Sequence, residues 1–423
     1  MRSSLFLTFL LLGIGQNLPY NVYWFGLGIG DACFVFTLIL AGFHPRMRSD
    51  FGRELRRLSL PIALVVAFAS FALCSLLYNA FIYGLAVRDL FELARIAYLR
   101  MLMVLTATAT RNYGVGPVLG FGLGIVVSGM IAYVNPRFED VFGTVVVWNP
   151  NVMGNMMAVG IIFASMIALF HQRFVLAAII GVLCLLVGAF TFSKGAWLMC
   201  MFASLAFGAA VLGSRRKEAA RYGKCILILL VVGISWLTYR YADRIREILE
   251  FKLATTQIDD SAVDGGTLAQ RWGFVLSSKM MLMSNPIFGV GMSNYEQVND
   301  ALKLDLGGYY WESDNPHSLW LYLLACMGIP AFAFYTAFFV LVLQALRRAV
   351  KLTGVFRQIY LFSVSAMFVL SGAVMLQLVA GYFFWVFAGV VLAHTDIVRP
   401  ANSGRETVFV ERSRRIESNE LIS

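Results

Sequence analysis

The chain has 423 residues, of which 59% are hydrophobic and only 14% are charged, and its mean hydropathy is +0.75. Soluble domains have about 45–50% apolar and about 25% charged residues, so this composition excludes a soluble enzyme and a disordered chain. It indicates an integral membrane protein. Because a membrane-spanning helix needs about 20 apolar residues, the length allows about a dozen spans and one modest region outside the membrane.

The net charge is +10, from 34 Lys and Arg against 24 Asp and Glu. Nineteen of the 34 basic residues lie in four short segments, 44–57, 214–224, 347–357 and 399–423. Cytoplasmic loops of membrane proteins carry the excess of Lys and Arg. We therefore expect these segments to face the cytoplasm and to contact membrane lipids of negative charge. No RNA-binding aromatic motif accompanies them, so we expect no nucleic-acid partner.

Apolar runs separated by polar residues predict twelve membrane-spanning helices, numbered here as spans 1 to 12. They cover residues 4–18, 22–43, 58–78, 90–108, 114–134, 152–170, 174–192, 196–212, 225–239, 317–345, 359–380 and 382–398. With both chain termini in the cytoplasm, the alternation places all four basic segments inside and leaves 135–151 and 240–316 outside. Removing one span would move later basic segments to the outer side.

Two of these runs have an alternative interpretation. The first resembles a signal peptide, but it lacks an A-x-A type cleavage site and a second span follows at once, so we expect it to be retained. The fourth carries Glu92, Arg95 and Arg100, so an interfacial amphipathic helix is the alternative to a span. The six cysteines all lie in or beside apolar runs without metal-binding spacing, which indicates small apolar fillers and no disulfide framework.

The predicted fold is an all-α integral membrane protein in four parts. Residues 1–239 form an N-terminal bundle of nine spans, 240–316 one large outer loop, 317–398 spans 10 to 12, and 399–423 a basic cytoplasmic tail. The loop is acidic, with eleven Asp and Glu against seven Lys and Arg. Within it, Thr267 can cap an amphipathic helix over 267–284 that Asn285-Pro286 ends, and Gly289-Val290-Gly291 predicts a turn. The glycines of 114–129 predict close packing of a membrane helix.

A small set of polar residues marks the outer ends of the predicted spans. They are Arg88 at the start of span 4, Asn149 and Asn151 at the start of span 6, Lys194 between spans 7 and 8, Arg271 in the loop helix, and His317 at the start of span 10. Fixed cations can hold and neutralise a diphosphate leaving group, and a histidine can accept the proton of an attacking hydroxyl. These groups fit a transfer from a lipid diphosphate to a hydroxyl. Each also has a structural interpretation, since an interfacial Lys usually snorkels, an exposed helical Arg is usually solvated, and a histidine at a helix start can cap it.

Several short motifs in one order resemble the O-antigen ligase and polysaccharide polymerase superfamily over roughly residues 145–345. The motifs are Asn149-Pro-Asn151, Ser193-Lys-Gly-Ala, Arg271-Trp-Gly-Phe, Asn285-Pro-Ile-Phe-Gly-Val-Gly291, His317-Ser-Leu-Trp-Leu and Met327-Gly-Ile-Pro330. Each motif alone is weak. The ordered set, together with twelve spans, is specific to this superfamily.

The resemblance implies a bacterial inner-membrane glycosyltransferase that uses a glycan linked to undecaprenyl diphosphate at the periplasmic face. It implies direct displacement at the anomeric carbon with inversion, and no metal, nucleotide sugar or other cofactor. By resemblance, His317 activates the acceptor hydroxyl. By resemblance, Arg271 and Lys194 hold the diphosphate, and we expect Arg88 to bind it as well because of its position at the outer start of span 4. The supporting residues are Asn149, Asn151, Ser193, Asn315 and Ser318.

Two positions depart from the superfamily pattern. Lys194 stands where the family has Arg, which keeps the charge but loses the bidentate fork. Ser318 stands where the family has Asn, so a hydroxyl replaces the amide. These departures indicate a divergent member.

The motifs leave the acceptor open. A ligase passes the glycan to lipid A–core, which is the expectation preferred here, and a polymerase passes it to another lipid-linked repeat unit. The alternative from a different class is a flippase for lipid-linked oligosaccharides. A transporter should show repeated halves and charged groups near the middle of the membrane, whereas the candidate residues gather at the outer face.

Overall fold

The computed structural model describes part of the chain. The described residues are 2–15, 29–43, 45–84, 87–114, 116–134, 140–141, 144–145, 154, 157–161, 164, 174–190, 197, 200–201, 203–204, 239, 267–302, 316, 318–350 and 382–393.

Helices account for nearly all of the described secondary structure. In chain order they are α1 (Arg2–Gly15), α2 (Ile29–Phe43), α3 (Pro45–Arg57), α4 (Ser59–Tyr83), α5 (Val87–Tyr113), α6 (Gly116–Val134), α7 (Phe174–Phe190), α8 (Thr267–Ser284), α9 (Tyr295–Leu302), α10 (Leu319–Tyr322), a π-helical turn (Leu323–Met327), α11 (Gly328–Val350) and α12 (Tyr382–Ala393). The one exception within this part of the chain is a two-residue antiparallel ladder between β1 (Asp140–Val141) and β2 (Thr144–Val145). The all-α prediction is confirmed there, apart from this ladder.

Two of the described helical segments are long and apolar enough to cross a membrane. They are Ser59–Tyr83, which corresponds to span 3, and Leu319–Ala345, which corresponds to span 10. Shorter apolar helices lie within spans 1, 5 and 7. Spans 6, 8, 9 and 11 fall mostly or wholly outside the described residues. The count of twelve and the extent of the outer loop stay predictions.

Span 10 differs from the uninterrupted helix that its apolar run predicts. The chain forms α10 and the π-helical turn, and then breaks at Gly328, whose φ is +81°. Pro330 lies in the first turn of α11, where its missing N–H leaves no hydrogen bond unmade. The sequence Gly-Ile-Pro therefore ends one helical segment and starts the next inside the span.

The glycines of α6 bring its backbone against α1. A Cβ on Gly124 would meet the backbone carbonyl of Leu10 and lie 2.8 Å from the amide nitrogen of Ile14. Gly120 faces the carbonyl of Phe6 in the same way, and Gly13 of α1 faces the carbonyl of Phe121. Small residues spaced four apart allow such close approach of membrane helices, which confirms the packing role predicted for 114–129.

The helix α5 lies in the interior of the bundle. Its 27 residues span about 40 Å, and every residue from 102 to 110 is buried. α12 packs along it so closely that a Cβ on Gly389 would lie 2.5 Å from the carbonyl oxygen of Met103. This burial favours an interior span over the interfacial alternative considered for residues 90–108.

One end of the bundle is fixed by an ionic cluster on α3. The carboxylate of Glu54, which is buried, pairs with the guanidinium of Arg57 and lies 3.7 Å from that of Arg111 at the end of α5. Arg57 also donates to the backbone carbonyl of Leu392 in α12. The C-terminal ends of α5 and α12 therefore lie at the same end of the bundle as the start of α4. The predicted topology requires the same arrangement, because span 3 starts at the cytoplasmic side and spans 4 and 12 end there.

Candidate functional site

A glycine-rich turn follows the loop helix α8. α8 covers Thr267–Ser284, the range predicted from the sequence, and the amide of Asn285 still donates to the carbonyl of Met281 at 3.0 Å. The amide of Gly289 closes the next turn on the carbonyl of Asn285 at 2.9 Å. Gly289 and Gly291 have φ of +64° and +94°, which L-residues with a Cβ rarely adopt. The predicted turn at 289–291 is therefore confirmed.

This turn, residues 285–291, docks onto the break in span 10. The amide of Val290 donates to the carbonyl of Ala325 at 2.9 Å, and that of Gly291 donates to the carbonyl of Cys326 at 3.0 Å. In return, the amide of Ile329 donates to the carbonyl of Pro286 at 2.8 Å. The carbonyls at the end of a helical segment have no partner within it, so the break at Gly328 supplies acceptors for the turn.

The glycines of both motifs are required by the closeness of this docking. A Cβ on Gly328 would meet the carbonyl oxygen of Ile287 and lie 2.5 Å from its carbon. A Cβ on Gly289 would lie 2.6 Å from the carbonyl oxygen of Ala325. The glycine motifs after residue 285 and at 328 therefore specify one backbone junction.

Two polar side chains of α4 also hold the turn. The Ser75 hydroxyl donates to the carbonyl of Phe288 and lies 3.3 Å from that of Cys326. The amide nitrogen of Asn79 donates to the carbonyl of Ser75 at 2.8 Å and lies 3.3 Å from that of Gly289. Asn79 is only 2% exposed, and its Oδ1 has no hydrogen-bond partner among the described residues.

The start of α5 is attached to the same region through Asp89. The Asp89 carboxylate, which is 6% exposed, accepts a hydrogen bond from the Ser293 hydroxyl. Asp89 lies in the first turn of α5, where the helix dipole favours a negative charge. Arg88, which is predicted to bind the diphosphate, is the preceding residue. This bond therefore holds the backbone at Arg88 beside the loop.

Two tyrosines complete the packing around the turn. The Tyr322 hydroxyl of α10 donates to the carbonyl of Met292 at 3.0 Å. Tyr295, at the start of α9, is fully buried. Burial raises the pKa of the Tyr295 phenol above its ordinary value, and the Ser278 hydroxyl partly opposes this rise. Tyr295 is therefore neutral at physiological pH, and its role here is packing.

Three of the predicted site residues fall within the described backbone. Arg88 is in the first turn of α5, Arg271 is the fifth residue of α8, and Ser318 directly precedes α10. α8 contacts both α10 and the π-helical turn, so the helix that carries Arg271 lies against the segment that follows Ser318. The Ser318 side chain makes no capping bond to α10, and its carbonyl accepts from the amide of Tyr322 at 2.9 Å.

The other predicted site residues lie outside the described residues. They are Asn149, Asn151, Ser193, Lys194, Asn315 and His317. Pro316 and Ser318, which flank His317, are both described. The proposed roles of these six residues stay predictions.

Sequence reasoning missed Ser75, Asn79 and Asp89. A signal was present, because Ser75 and Asn79 are polar residues four apart in an apolar span and so share one helix face, and polar groups inside spans usually have a partner. Asp89 adjoins Arg88. Nothing in the sequence linked these residues to a turn more than 200 positions later.

A family model described as O-antigen ligase matches residues 179–336. The matched segment contains Ser193, Lys194, Arg271, Asn315, His317 and Ser318, together with the docked turn. It excludes Arg88, Asn149 and Asn151, and it is narrower than the predicted range of 145–345.

A search of curated proteins returns no significant match. The family match agrees with the resemblance carried by the motifs at 193–196, 271–274, 285–291 and 317–330. Through residues 179–336, the chain is similar to the O-antigen ligase family, which supports its resemblance to the O-antigen ligase-like superfamily of membrane proteins.

Proposed function

We propose that this protein is a glycosyltransferase of the inner membrane that works at the periplasmic face, with both termini in the cytoplasm. It moves a glycan from undecaprenyl diphosphate to an acceptor hydroxyl, and lipid A–core is the preferred acceptor. One observation carries the proposal. The O-antigen ligase match over 179–336 contains Lys194, Arg271 and His317 in the expected order. That family acts on lipid-linked glycans.

In the proposed reaction, the imidazole of His317 accepts the proton of the acceptor hydroxyl. The oxygen then attacks the anomeric carbon as the bond to the diphosphate oxygen breaks, and the configuration inverts. Arg271, Lys194 and Arg88 neutralise the charge that develops on the departing diphosphate. The reaction needs no metal, because these three cations supply the positive charge.

The contacts around the docked turn support this assignment of roles. α8, which carries Arg271, packs against α10, which begins two residues after His317. The Asp89–Ser293 hydrogen bond holds the residue after Arg88 against the predicted outer loop, which also contains α8. Asn149, Asn151, Ser193, Asn315 and Ser318 support these groups in the proposal.

Reconstitution in liposomes tests the function. The purified protein receives a glycan linked to undecaprenyl diphosphate, together with lipid A–core or with a second lipid-linked repeat unit. A single transfer to lipid A–core indicates a ligase, and a ladder of longer lipid-linked products indicates a polymerase. If the glycan only changes leaflet and no glycosidic bond forms, the enzyme proposal is wrong and the flippase alternative is supported.

Substitution of His317 tests the proposed base. We expect His317→Ala to abolish transfer while the protein still inserts in the membrane. His44→Ala, in the basic segment predicted to face the cytoplasm, is the matched control and should transfer at the normal rate. Full activity of His317→Ala would remove this histidine from the mechanism.

A further inference from the structure

The helix α3 presents a face of arginines next to a membrane span. Four of its arginines are exposed, namely Arg46, Arg48, Arg53 and Arg56. At 100° per residue they occupy one arc of about 160°. The Arg53 side chain is 70% exposed. This arc is the most basic exposed surface within the described part of the chain.

The opposite face of α3 is already used by the protein. Met47 and Glu54 are buried, as is Leu58 directly after the helix, and Phe51 and Leu55 pack against the core. The pairs of Glu54 with Arg57 and Arg111 fix the helix to the bundle. The arginine arc is thus held by the protein scaffold at one orientation and does not depend on insertion of α3 into lipid.

The position of α3 puts this arc at the membrane boundary. α3 ends at Arg57, and the apolar span α4 begins at Ser59. A helix that joins a span within two residues lies within a few ångströms of the headgroup layer. A Lys/Arg excess at this place indicates the cytoplasmic leaflet, whose surface carries negative charge.

We propose that the arginine arc of α3 is a binding site for anionic phospholipid headgroups of the cytoplasmic leaflet. Local contacts use only some of the N–H donors of these arginines. Arg53 pairs with Asp50, and the Nε of Arg56 lies 3.4 Å from the carbonyl of Gly52, whereas each guanidinium has five N–H donors. The remaining donors match phosphate oxygens, which arginine binds bidentately. This site is separate from the proposed transfer site and does not rest on it.

Lipid binding to the purified protein tests this proposal. The variant Arg46→Gln/Arg48→Gln/Arg53→Gln/Arg56→Gln is compared with the wild type by native mass spectrometry in detergent, with added phosphatidylglycerol or phosphatidylcholine. Since a basic residue near an anionic surface contributes about fivefold in affinity, we expect the apparent Kd for phosphatidylglycerol to rise at least tenfold. Phosphatidylcholine binding should stay unchanged.

Two further variants separate charge from folding. The same four positions changed to Lys keep the charge, so phosphatidylglycerol binding should stay within a few-fold of wild type even if the Gln variant unfolds. Asp50→Asn adds one net positive charge to the arc and should lower the Kd. Equal phosphatidylglycerol binding by all variants would overturn the proposal. The proposal would also be overturned if the Gln variant lost binding to a labelled polyglutamate peptide while its phosphatidylglycerol binding stayed unchanged. That result would mean that the arc binds an acidic protein.

Discussion

The Asp89 carboxylate accepts a hydrogen bond from the Ser293 hydroxyl, which joins two residues 204 positions apart in the chain. Asp89 lies outside the segment matched by the O-antigen ligase family, and Ser293 lies inside it. The bond therefore attaches the start of α5 to the segment that the O-antigen ligase family model matches. It also determines where the start of α5, and with it Arg88, lies relative to the docked turn.

Substitution of this pair should weaken the attachment. A hydrogen bond to a charged group contributes about 1.5–3 kcal/mol, so Ser293→Ala should lower the free energy of unfolding by about that amount and slow glycan transfer. Ser284→Ala is the matched control, because among the described residues its hydroxyl donates to the carbonyl of Met281 within the same helix. The double variant Asp89→Asn/Ser293→Ala should cost less than the two single changes together. Strict additivity in thermal unfolding would show that the two side chains do not interact.

The break in span 10 gives a second prediction. Gly328 and Gly84 both have positive φ, +81° and +89°, but only Gly328 faces another backbone, that of Ile287. Both glycines have backbone angles that essentially only glycine adopts, so both Gly→Ala changes incur strain of about 1–3 kcal/mol, and only Gly328→Ala also displaces the turn. We expect Gly328→Ala to lower the melting temperature more than Gly84→Ala and to reduce transfer. Equal effects in the two variants would mean that the docking tolerates a Cβ.

The packing of α1 against α6 gives a third prediction, because the glycines of α6 differ in their surroundings. Gly124 faces the backbone of Leu10 and Ile14, whereas a Cβ on Gly116 would meet no atom of the described residues within 4 Å. Gly124→Ala should destabilise the protein by about 1–3 kcal/mol through overpacking. Gly116→Ala should be neutral or slightly stabilising, since it only lowers the entropy of the unfolded chain. Thermal unfolding in detergent distinguishes them, and an undisturbed Gly124→Ala would contradict the close helix contact.

The ionic cluster on α3 gives a fourth prediction. Glu54→Gln keeps the shape of the side chain but removes the charge that Arg57 and Arg111 share. Because both partly exposed guanidinium groups lose the carboxylate that they share, we expect a destabilisation of about 1–3 kcal/mol. Glu296→Gln, the same change at an exposed position of α9, should alter stability by less than about 0.5 kcal/mol. If the two melting temperatures fell equally, the cluster would have no structural role.

Conservative exchange at Arg271 gives a fifth prediction, which bears on the proposed function. If Arg271 neutralises the diphosphate, Arg271→Lys should keep more transfer than Arg271→Ala, because the positive charge remains. Lys194→Arg should preserve or improve transfer, since it restores the residue that the superfamily has at this position. Initial rates at several donor concentrations measure both effects. Wild-type rates for both Arg271 variants would remove this residue from the site.

The sequence by itself indicated an all-α membrane protein, the range of α8 and the family motifs. Composition excludes a soluble protein, and the capping Thr267 with Asn285-Pro286 predicts α8 at the bounds that the structure has. These features are local, because apolar runs, caps and turn glycines act within a few residues along the chain. The motif order was sufficient to indicate the superfamily before any contact was known.

Only the tertiary structure decided what the turn at 285–291 binds and which residues hold it. The docking of this turn on the break at Gly328, the hold by Ser75 and Asn79, and the Asp89–Ser293 bond all join distant parts of the chain. Their physical basis is the pairing of buried polar groups. A single sequence shows that such groups need partners and does not show which ones they find. The same holds for Glu54, whose place in a basic segment gave no sign that it joins α3 to α5.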